Sequence, residues 1–231
     1  MSIFDNIVVA WNYTYPHYDS IPFLAEFYGF PNVIHYGPPG DDSRVVGIET
    51  NHGFTSYAIF EDAFKRFPNT SGVMLVHDDF LLNRKQFENL NIHKIWSQPW
   101  RNPDSINDWY WWKTDVGAAA LERVMPLKNV FFGYSDLMYV PTAMAKQLVP
   151  QFAVHAANKV FCELAWPNII NTNVKCENIQ FLHTINHVQH EHGHYNWRQL
   201  YKPEYHGIHP VKWSIESNKR RANKLKNFVP H

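Results

Sequence analysis

The sequence predicts an α/β protein, a three-layer sandwich in which helices cover both faces of a mixed, mainly parallel sheet. Short, β-branched apolar runs at residues 7–11, 32–36 and 73–76 alternate with helical apolar spacing at residues 21–30 and 55–67. This alternation is typical of βαβ units and a parallel sheet. The chain has 231 residues, 45% of them hydrophobic, which is enough for one such domain with a full core.

Local signals indicate where the first elements begin and end. Ser20 is a predicted N-cap, Pro22 suits the first helical turn, and Gly29 suits the helix end. The Gly-Pro-Pro-Gly run at residues 37–40 stops the second strand, and a turn at residues 68–72 precedes the third. The first eighty residues therefore predict strand, helix, strand, helix and strand.

The second half of the chain is less regular. The apolar run at residues 130–140 is interrupted near Ser135, which predicts two short strands that Pro141 ends. The other predicted elements are a loop at residues 96–108 and helices at residues 116–124, 142–152 and 158–165, the last closed by Pro167.

Composition and charge exclude several classes of protein. Twenty-one Lys and Arg balance 21 Asp and Glu, so neither a nucleic acid nor an anionic membrane is favoured as a partner. The start of the sequence lacks the pattern of a signal peptide, and no stretch approaches the ~20 apolar residues of a membrane span, so a cytoplasmic location is expected. We expect one domain over residues 1–216 and a basic tail or linker over residues 217–231.

Two adjacent carboxylates, Asp78 and Asp79, follow the most uniform apolar strand. Ligands of parallel sheets collect at the carboxyl ends of the strands. Neighbouring carboxylates repel each other, and a divalent ion such as Mn²⁺ or Mg²⁺ removes that conflict because it prefers oxygen ligands. The alternative is an acidic turn that caps the next helix.

A second polar motif near the C-terminus combines His206, His209 and Lys212. An imidazole can bind a metal, and a lysine can bind a diphosphate as a point charge. The spacing from His209 to Lys212 favours His209 as the ligand, although either histidine could be an ordinary loop residue. The histidine-rich stretch at residues 183–194 lacks the spacing of a helical zinc site, and dinucleotide, Walker and serine-hydrolase motifs are absent.

In order along the chain, residues 75–79, 133–141 and 161–167 resemble the GT-A glycosyltransferases, in particular exostosin-like and related transferases. The resemblance spans most of the chain, although each motif is short. It implies a GT-A (Rossmann-like) fold and transfer of a sugar from a nucleoside-diphosphate donor, a UDP-sugar before others, to a glycan or other hydroxyl acceptor. It also implies Mn²⁺ or Mg²⁺, and a catalytic module of the kind that builds viral or bacterial glycans, as part of a longer chain or alone.

The resemblance also implies a metal shell. The family motif is Asp-x-Asp, and His77 stands at its first acidic position, where this sequence departs from the pattern. Asp79 matches the last position and would bind the metal directly, together with His209. Asp78 would lie nearer the ribose or bind the metal through water, and Lys212 would bind the diphosphate.

The resemblance places Asp136 and Glu163 in or near the sugar pocket. An inverting transferase needs a carboxylate within reach of the acceptor hydroxyl, whereas a retaining enzyme uses one to stabilise an oxocarbenium-like state. The sequence does not decide between these outcomes. The alternatives are a turn residue for Asp136 and a helix surface charge for Glu163.

Aromatic and polar side chains complete the predicted site. The acceptor platform is predicted from the cluster at residues 108–113, because aromatic rings stack on sugars and polar groups bond their hydroxyls; the alternative is that these rings seal the end of the sheet. The loop after the first strand would receive the base, and an arginine beyond the second strand would approach the phosphates. The residues concerned are Asp108, Trp109, Trp111 and Trp112 for the acceptor, and Trp11, Asn12, Tyr13 and Arg44 for the donor.

Two other functions remain open from the sequence. The same carboxylates and histidines would suit a metal-dependent hydrolase of a nucleotide-sugar or sugar phosphate. The tryptophan clusters would equally suit a carbohydrate-binding module without catalysis.

Overall fold

A seven-stranded mixed sheet forms the centre of the protein in the computed structural model, which describes residues 2–15, 18–50, 53–101, 106–107, 109–186 and 203–211. In chain order the strands are β1 Ile7–Asn12, β2 Val33–Gly37, β3 Val46–Gly47, β4 Gly72–His77, β5 Leu81–Leu82, β6 Ile95–Ser97, β7 Trp100–Arg101, β8 Phe132–Gly133, β9 Leu137–Pro141, β10 Ile179–Phe181, β11 Thr184–Asn186 and β12 Gly207–His209.

The main sheet has the order β10-β6-β9-β4-β1-β2-β3. All of its neighbouring strands pair in parallel except β9, which is antiparallel to both β4 and β6. Two smaller sheets flank it, one with the order β11-β12-β5 and one formed by β7 and β8. The predicted mixed, mainly parallel sheet is therefore confirmed.

Helices cover both faces of the sheet. They are α1 Ile21–Tyr28, α2 Ile59–Arg66, α3 Arg84–Phe87, α4 Ala118–Glu122, α5 Thr142–Ala157 and α6 Cys162–Asn173. Because successive strand residues point to opposite faces, Val9 joins the core formed with Leu24 of α1, and Val8 joins the core formed with Phe60 of α2. Helices α1 and α3 belong to the first layer, and α2, α4, α5 and α6 belong to the second. This is the predicted three-layer sandwich.

Helix ends differ from the prediction where burial outweighs local signals. Pro167 does not end a helix, because α6 continues through it to Asn173. An internal proline costs about 3 kcal/mol, but Trp166, Ile169 and Ile170 are buried in the core on either side of it, which offsets that cost. Helix α5 likewise continues through Pro150 and ends at Ala157 rather than at residue 152.

The cap predictions for α1 are half right. Gly29 has φ 56° and ends the helix in the left-handed conformation, as predicted. The side chain of Ser20 makes no capping hydrogen bond, because Ser20 is itself the last residue of a 3₁₀ turn that leads into the helix. The predicted loop at residues 96–108 contains part of β6 and all of β7, which are too short to leave a pattern in the sequence.

Gly72, at the start of β4, predicts a measurable stability effect. A Cβ atom at this position would clash with the ring and hydroxyl of Tyr139 on the neighbouring strand β9. We expect Gly72→Ala to lower the free energy of unfolding by about 1–3 kcal/mol, because a packed core resists added volume. Urea unfolding measures this change in the free energy of unfolding. Gly40→Ala is the matched control, since only the carbonyl oxygen of Pro38, at 3.9 Å, lies near that Cβ; equal effects of the two variants would contradict the prediction.

Within the described residues, no helix is long and apolar enough to cross a membrane. The predicted tail at residues 217–231 lies outside the described residues, so the boundary at residue 216 stays a prediction.

Candidate functional site

The register of the central strands brings two side chains together at one edge of the sheet. Strand β4 ends at His77, and β9, running the opposite way beside it, begins just after Asp136. Val76 pairs with Leu137, and the backbone N–H of His77 donates to the carbonyl of Asp136 at 2.9 Å. The last residue of one strand and the residue before the other therefore lie side by side.

The small sheet β11-β12-β5 adds a third side chain from the far end of the chain. Ile208 of β12 pairs with Leu81 of β5, just after the Asp78–Asp79 turn. The N–H of Val211 donates to the carbonyl of Asp79 at 2.6 Å. These bonds hold His209 over the ends of β4 and β9.

His77, Asp136 and His209 form a group that could hold a metal ion. One ligand atom from each lies within 4.8 Å of the others, so all three can face a single ion. His209 Nδ1 is 3.4 Å from Asp136 Oδ2, and His77 Nδ1 is 3.8 Å from Asp136 Oδ1. Asp136 Oδ2 is buried and accepts no hydrogen bond within the described part of the chain. A cation would satisfy it, so the residues fit the ion that the sequence predicts.

Asp79 contacts His209 from the other side. Its Oδ1 is 2.9 Å from His209 Nε2. A metal-binding histidine commonly donates its second N–H to a carboxylate, which fixes the ring. The structure thus brings the predicted ligands Asp79 and His209 together, with Asp79 against the histidine nitrogen that faces away from Asp136. Asp78 lies in the adjoining turn, where its N–H donates to the carbonyl of Asn12 at 3.0 Å.

Two members of this group, Asp136 and His209, line a cavity of about 770 Å³. Its aromatic lining consists of Trp109, Tyr110, Trp111, Phe132 and Tyr134. Its polar lining consists of Arg101, Asp136, Glu163, Thr184 and His209. The two predicted catalytic carboxylates, one predicted metal ligand and two of the predicted acceptor-binding tryptophans therefore share one cavity.

Glu163 is the second residue of α6, and its half-buried side chain lines the cavity. Burial raises the pKa of its carboxyl well above the usual value, and the charge of Asp136 raises it further, while His209 acts in the opposite direction. Burial also raises the pKa of Tyr134, with Glu163 adding to that shift and Arg101 opposing it. The cavity therefore holds a carboxyl group that binds a proton more readily than an exposed glutamate does.

The predicted acceptor platform is divided. Trp109 and Trp111 pack on the ring of Phe161 at centroid distances of 5.7 and 5.0 Å, and both line the cavity. Trp112 lines a separate depression together with Lys113. Asp108 lies outside the described residues.

The predicted donor residues lie on the first strand and beyond the second. Trp11 and Tyr13 are 1% and 0% exposed, with Trp11 packed on Tyr28 at 5.6 Å, so both rings belong to the core. Asn12 is also fully buried, and its amide has no hydrogen-bond partner within the described residues. Arg44 is exposed and paired with Asp42 at 2.6 Å. Lys212 lies outside the described residues.

Several residues of the ion group and of the cavity have no role predicted from the sequence. His77 drew notice only as a departure from the acidic motif. Tyr134 lies within residues 133–141, one of the segments on which the predicted resemblance rests, so it could have been found from the sequence. Arg101 and Thr184 follow no motif, because β7 and β11 are short and only the tertiary structure brings them to the cavity.

Comparison with known proteins gives distant structural likenesses. No family model matches the chain, and no curated protein matches it. A glycosyltransferase involved in the glycosylation of the major capsid of PBCV-1 is 9% identical, with a TM-score of 0.46, over 94% of this chain and 99% of that chain. The galactosyltransferase LgtC, solved with donor and acceptor sugar analogs, is 7% identical, with a TM-score of 0.40, over 97% of this chain and 96% of that chain.

Proposed function

We propose that the protein is a metal-assisted glycosyltransferase that moves a sugar from a nucleoside-diphosphate donor, UDP-linked before others, to a hydroxyl group of a glycan or other acceptor. The observation that carries the proposal is the group His77, Asp136 and His209, two members of which, Asp136 and His209, line an aromatic cavity that also holds Glu163. An ion site, a second carboxyl group and a stacking surface are what sugar transfer from a diphosphate requires.

The three residues of the group would hold the ion, which when bound neutralises charge on the diphosphate. Asp79 fixes the ring of His209 through Nε2, so that Nδ1 points toward Asp136. The ligand set contains two imidazoles, which suit Mn²⁺ better than Mg²⁺, because Mg²⁺ prefers oxygen ligands alone.

Glu163 supplies the second carboxyl group. In an inverting reaction it would accept the proton of the acceptor hydroxyl while that oxygen bonds to the anomeric carbon. The bond from that carbon to the diphosphate oxygen breaks, and its electron pair leaves with the nucleoside diphosphate. In a retaining reaction the same carboxylate would stabilise the positive charge that develops on the sugar.

The aromatic residues that line the cavity form a wall, here called the aromatic wall, that would bind the acceptor. Trp109 and Trp111 are partly buried and packed on Phe161, which holds their rings in place. Rings fixed in this way stack on the apolar face of a sugar without losing much freedom on binding.

Calorimetric titration of UDP into the protein, with and without Mn²⁺, tests the donor site. We expect micromolar binding that requires Mn²⁺ and is weaker with Mg²⁺. Binding that ignores the metal would remove the metal-bridge mechanism, and no binding to any nucleotide would favour a carbohydrate-binding module. Full-rate breakdown of a UDP-sugar without an acceptor would indicate a hydrolase instead.

Asp79→Asn provides a sharper prediction on the same site. We expect Mn²⁺ affinity to fall about 10- to 100-fold, because His209 loses the carboxylate that orients its ring. Direct calorimetric titration of Mn²⁺ measures the loss. Asp41→Asn, which removes an exposed carboxylate, is the matched control. Unchanged Mn²⁺ affinity in Asp79→Asn would show that this contact does not support the ion site.

A further inference from the structure

Arg101 occupies a defined place in the cavity wall. It pairs with Phe132 across the β7–β8 ribbon, and directly opposed residues of an antiparallel pair place their side chains on the same face. Both residues line the cavity, and the ring of Phe132 packs on Trp109 at 5.1 Å. The side chain of Arg101 therefore lies on the same face of the ribbon as Phe132, next to the aromatic wall.

Arg101 is exposed, and its guanidinium makes no hydrogen bond or ion pair with the described residues. Arg44 and Arg66, by contrast, each contact an aspartate within 2.6 Å. Two carboxylates, Asp136 and Glu163, line the same cavity, yet neither forms an ion pair with Arg101. Among the described residues, the charge of Arg101 therefore has no carboxylate partner, and its side chain faces the cavity that a ligand would enter.

The chemistry of guanidinium indicates which ligand group would bind. Its planar fork matches a carboxylate or a phosphate through two parallel hydrogen bonds, and such bonds are about twice as strong as neutral ones. A neutral sugar hydroxyl could accept a hydrogen bond from the guanidinium but would gain nothing from its positive charge.

We infer that the acceptor carries an anionic group, a carboxylate or phosphate on its sugar, and that Arg101 binds this group while Trp109 and Trp111 stack on the ring. The inference rests on the proposed function, of which it specifies the acceptor class. Arg101 lies on the β7–β8 ribbon opposite Phe132, whose ring packs on Trp109, whereas the ion group lies at the ends of β4 and β9. This connection to the predicted acceptor platform assigns Arg101 to the acceptor rather than to the donor diphosphate.

Ligand-observed NMR titrations with matched glycosides test the inference. The probes are p-nitrophenyl β-D-glucuronide and p-nitrophenyl β-D-glucoside, which differ only in the sugar carboxylate, and the equivalent galacturonide and galactoside pair. Glucose 6-phosphate against glucose serves as the phosphate arm. We expect at least one acidic probe to bind about tenfold more tightly than its neutral partner, the effect of one partly exposed charge-assisted contact. Equal affinities in all pairs, or no binding of any acidic probe, would overturn the inference.

Arg101→Gln is expected to remove the preference for the acidic probe and to leave the neutral probe unaffected. Lys113→Gln, which removes an exposed cation outside the cavity, should keep the preference. If Arg101→Gln weakened UDP binding instead, the anionic partner would be the donor and the acceptor assignment would be wrong. Failure of UDP to bind the unchanged protein would contradict the proposed function, whereas the glycoside titrations would still judge Arg101 on their own.

Discussion

Replacement of Asp136 by asparagine is expected to abolish Mn²⁺-dependent binding of UDP and to weaken binding of Mn²⁺ itself more than about a hundredfold, the upper range for loss of a supporting residue around a metal. Asp136 lies between the two histidines, with one carboxylate oxygen directed toward each. An asparagine of the same size would leave those imidazoles without the negative charge that an ion needs. Calorimetry of Mn²⁺, and of UDP with Mn²⁺ present, measures both losses.

The fold should survive this substitution, because Asp136 supports the sheet through its backbone. Its carbonyl accepts from the N–H of His77, and its own N–H donates to the side chain of Gln98, both at 2.9 Å. Asparagine keeps both bonds. Asp115→Asn, an exposed change, is the control for general effects. A variant at Asp136 that still binds Mn²⁺ as tightly as the unchanged protein would refute the proposed ligand group.

Glu163→Gln is expected to reduce the turnover of sugar transfer about 10²- to 10⁴-fold while leaving Mn²⁺-dependent binding of UDP intact. Glutamine has the shape of glutamate but can neither accept the acceptor's proton nor carry a negative charge. Glu163 is absent from the group of side chains that could hold the ion. Its loss should therefore act on kcat rather than on donor affinity.

The assay uses a UDP-sugar found by a donor screen, with saturating acceptor, and follows release of UDP. Glu177→Gln, which changes an exposed carboxylate beyond the end of α6, is the matched control. Parallel losses of turnover and UDP affinity would indicate that Glu163 belongs to the donor site. Full activity would remove it from the mechanism.

The sequence was sufficient to predict the layers of the fold, because they follow from alternating apolar patterns. It could not predict that Asp136 would lie against His77. That contact depends on β9 running antiparallel beside β4 in one particular register, and a sequence pattern fixes neither the neighbour nor the register of a strand. Asp136 was therefore predicted as a catalytic residue near the sugar, whereas the structure places it among the possible metal ligands.

The division of the aromatic cluster has a similar origin. Trp111 and Trp112 lie in a 3₁₀ turn, Tyr110–Lys113. Adjacent residues of such a turn point about 120° apart, since three residues complete a turn. The side chains of Trp111 and Trp112 therefore diverge, and only the turn geometry decides that Trp111 lines the cavity whereas Trp112 does not. A run of aromatic residues in the sequence could indicate an acceptor platform, but it could not show which of those residues line the cavity.

The small sheet that carries His209 is separate from the seven-stranded sheet, although its residues Leu81, Leu82 and Ile208 are buried in the same core as α1. Local opening of β12 would carry His209 away from Asp136 and would expose Ile208. An ion held by this histidine would bind only the closed form and would stabilise that form by mass action. The affinity of the protein for its ion therefore depends on how stably β12 pairs with β5. A weaker pairing between Leu81 and Ile208 would lower the ion affinity even if all the ligand side chains were unchanged.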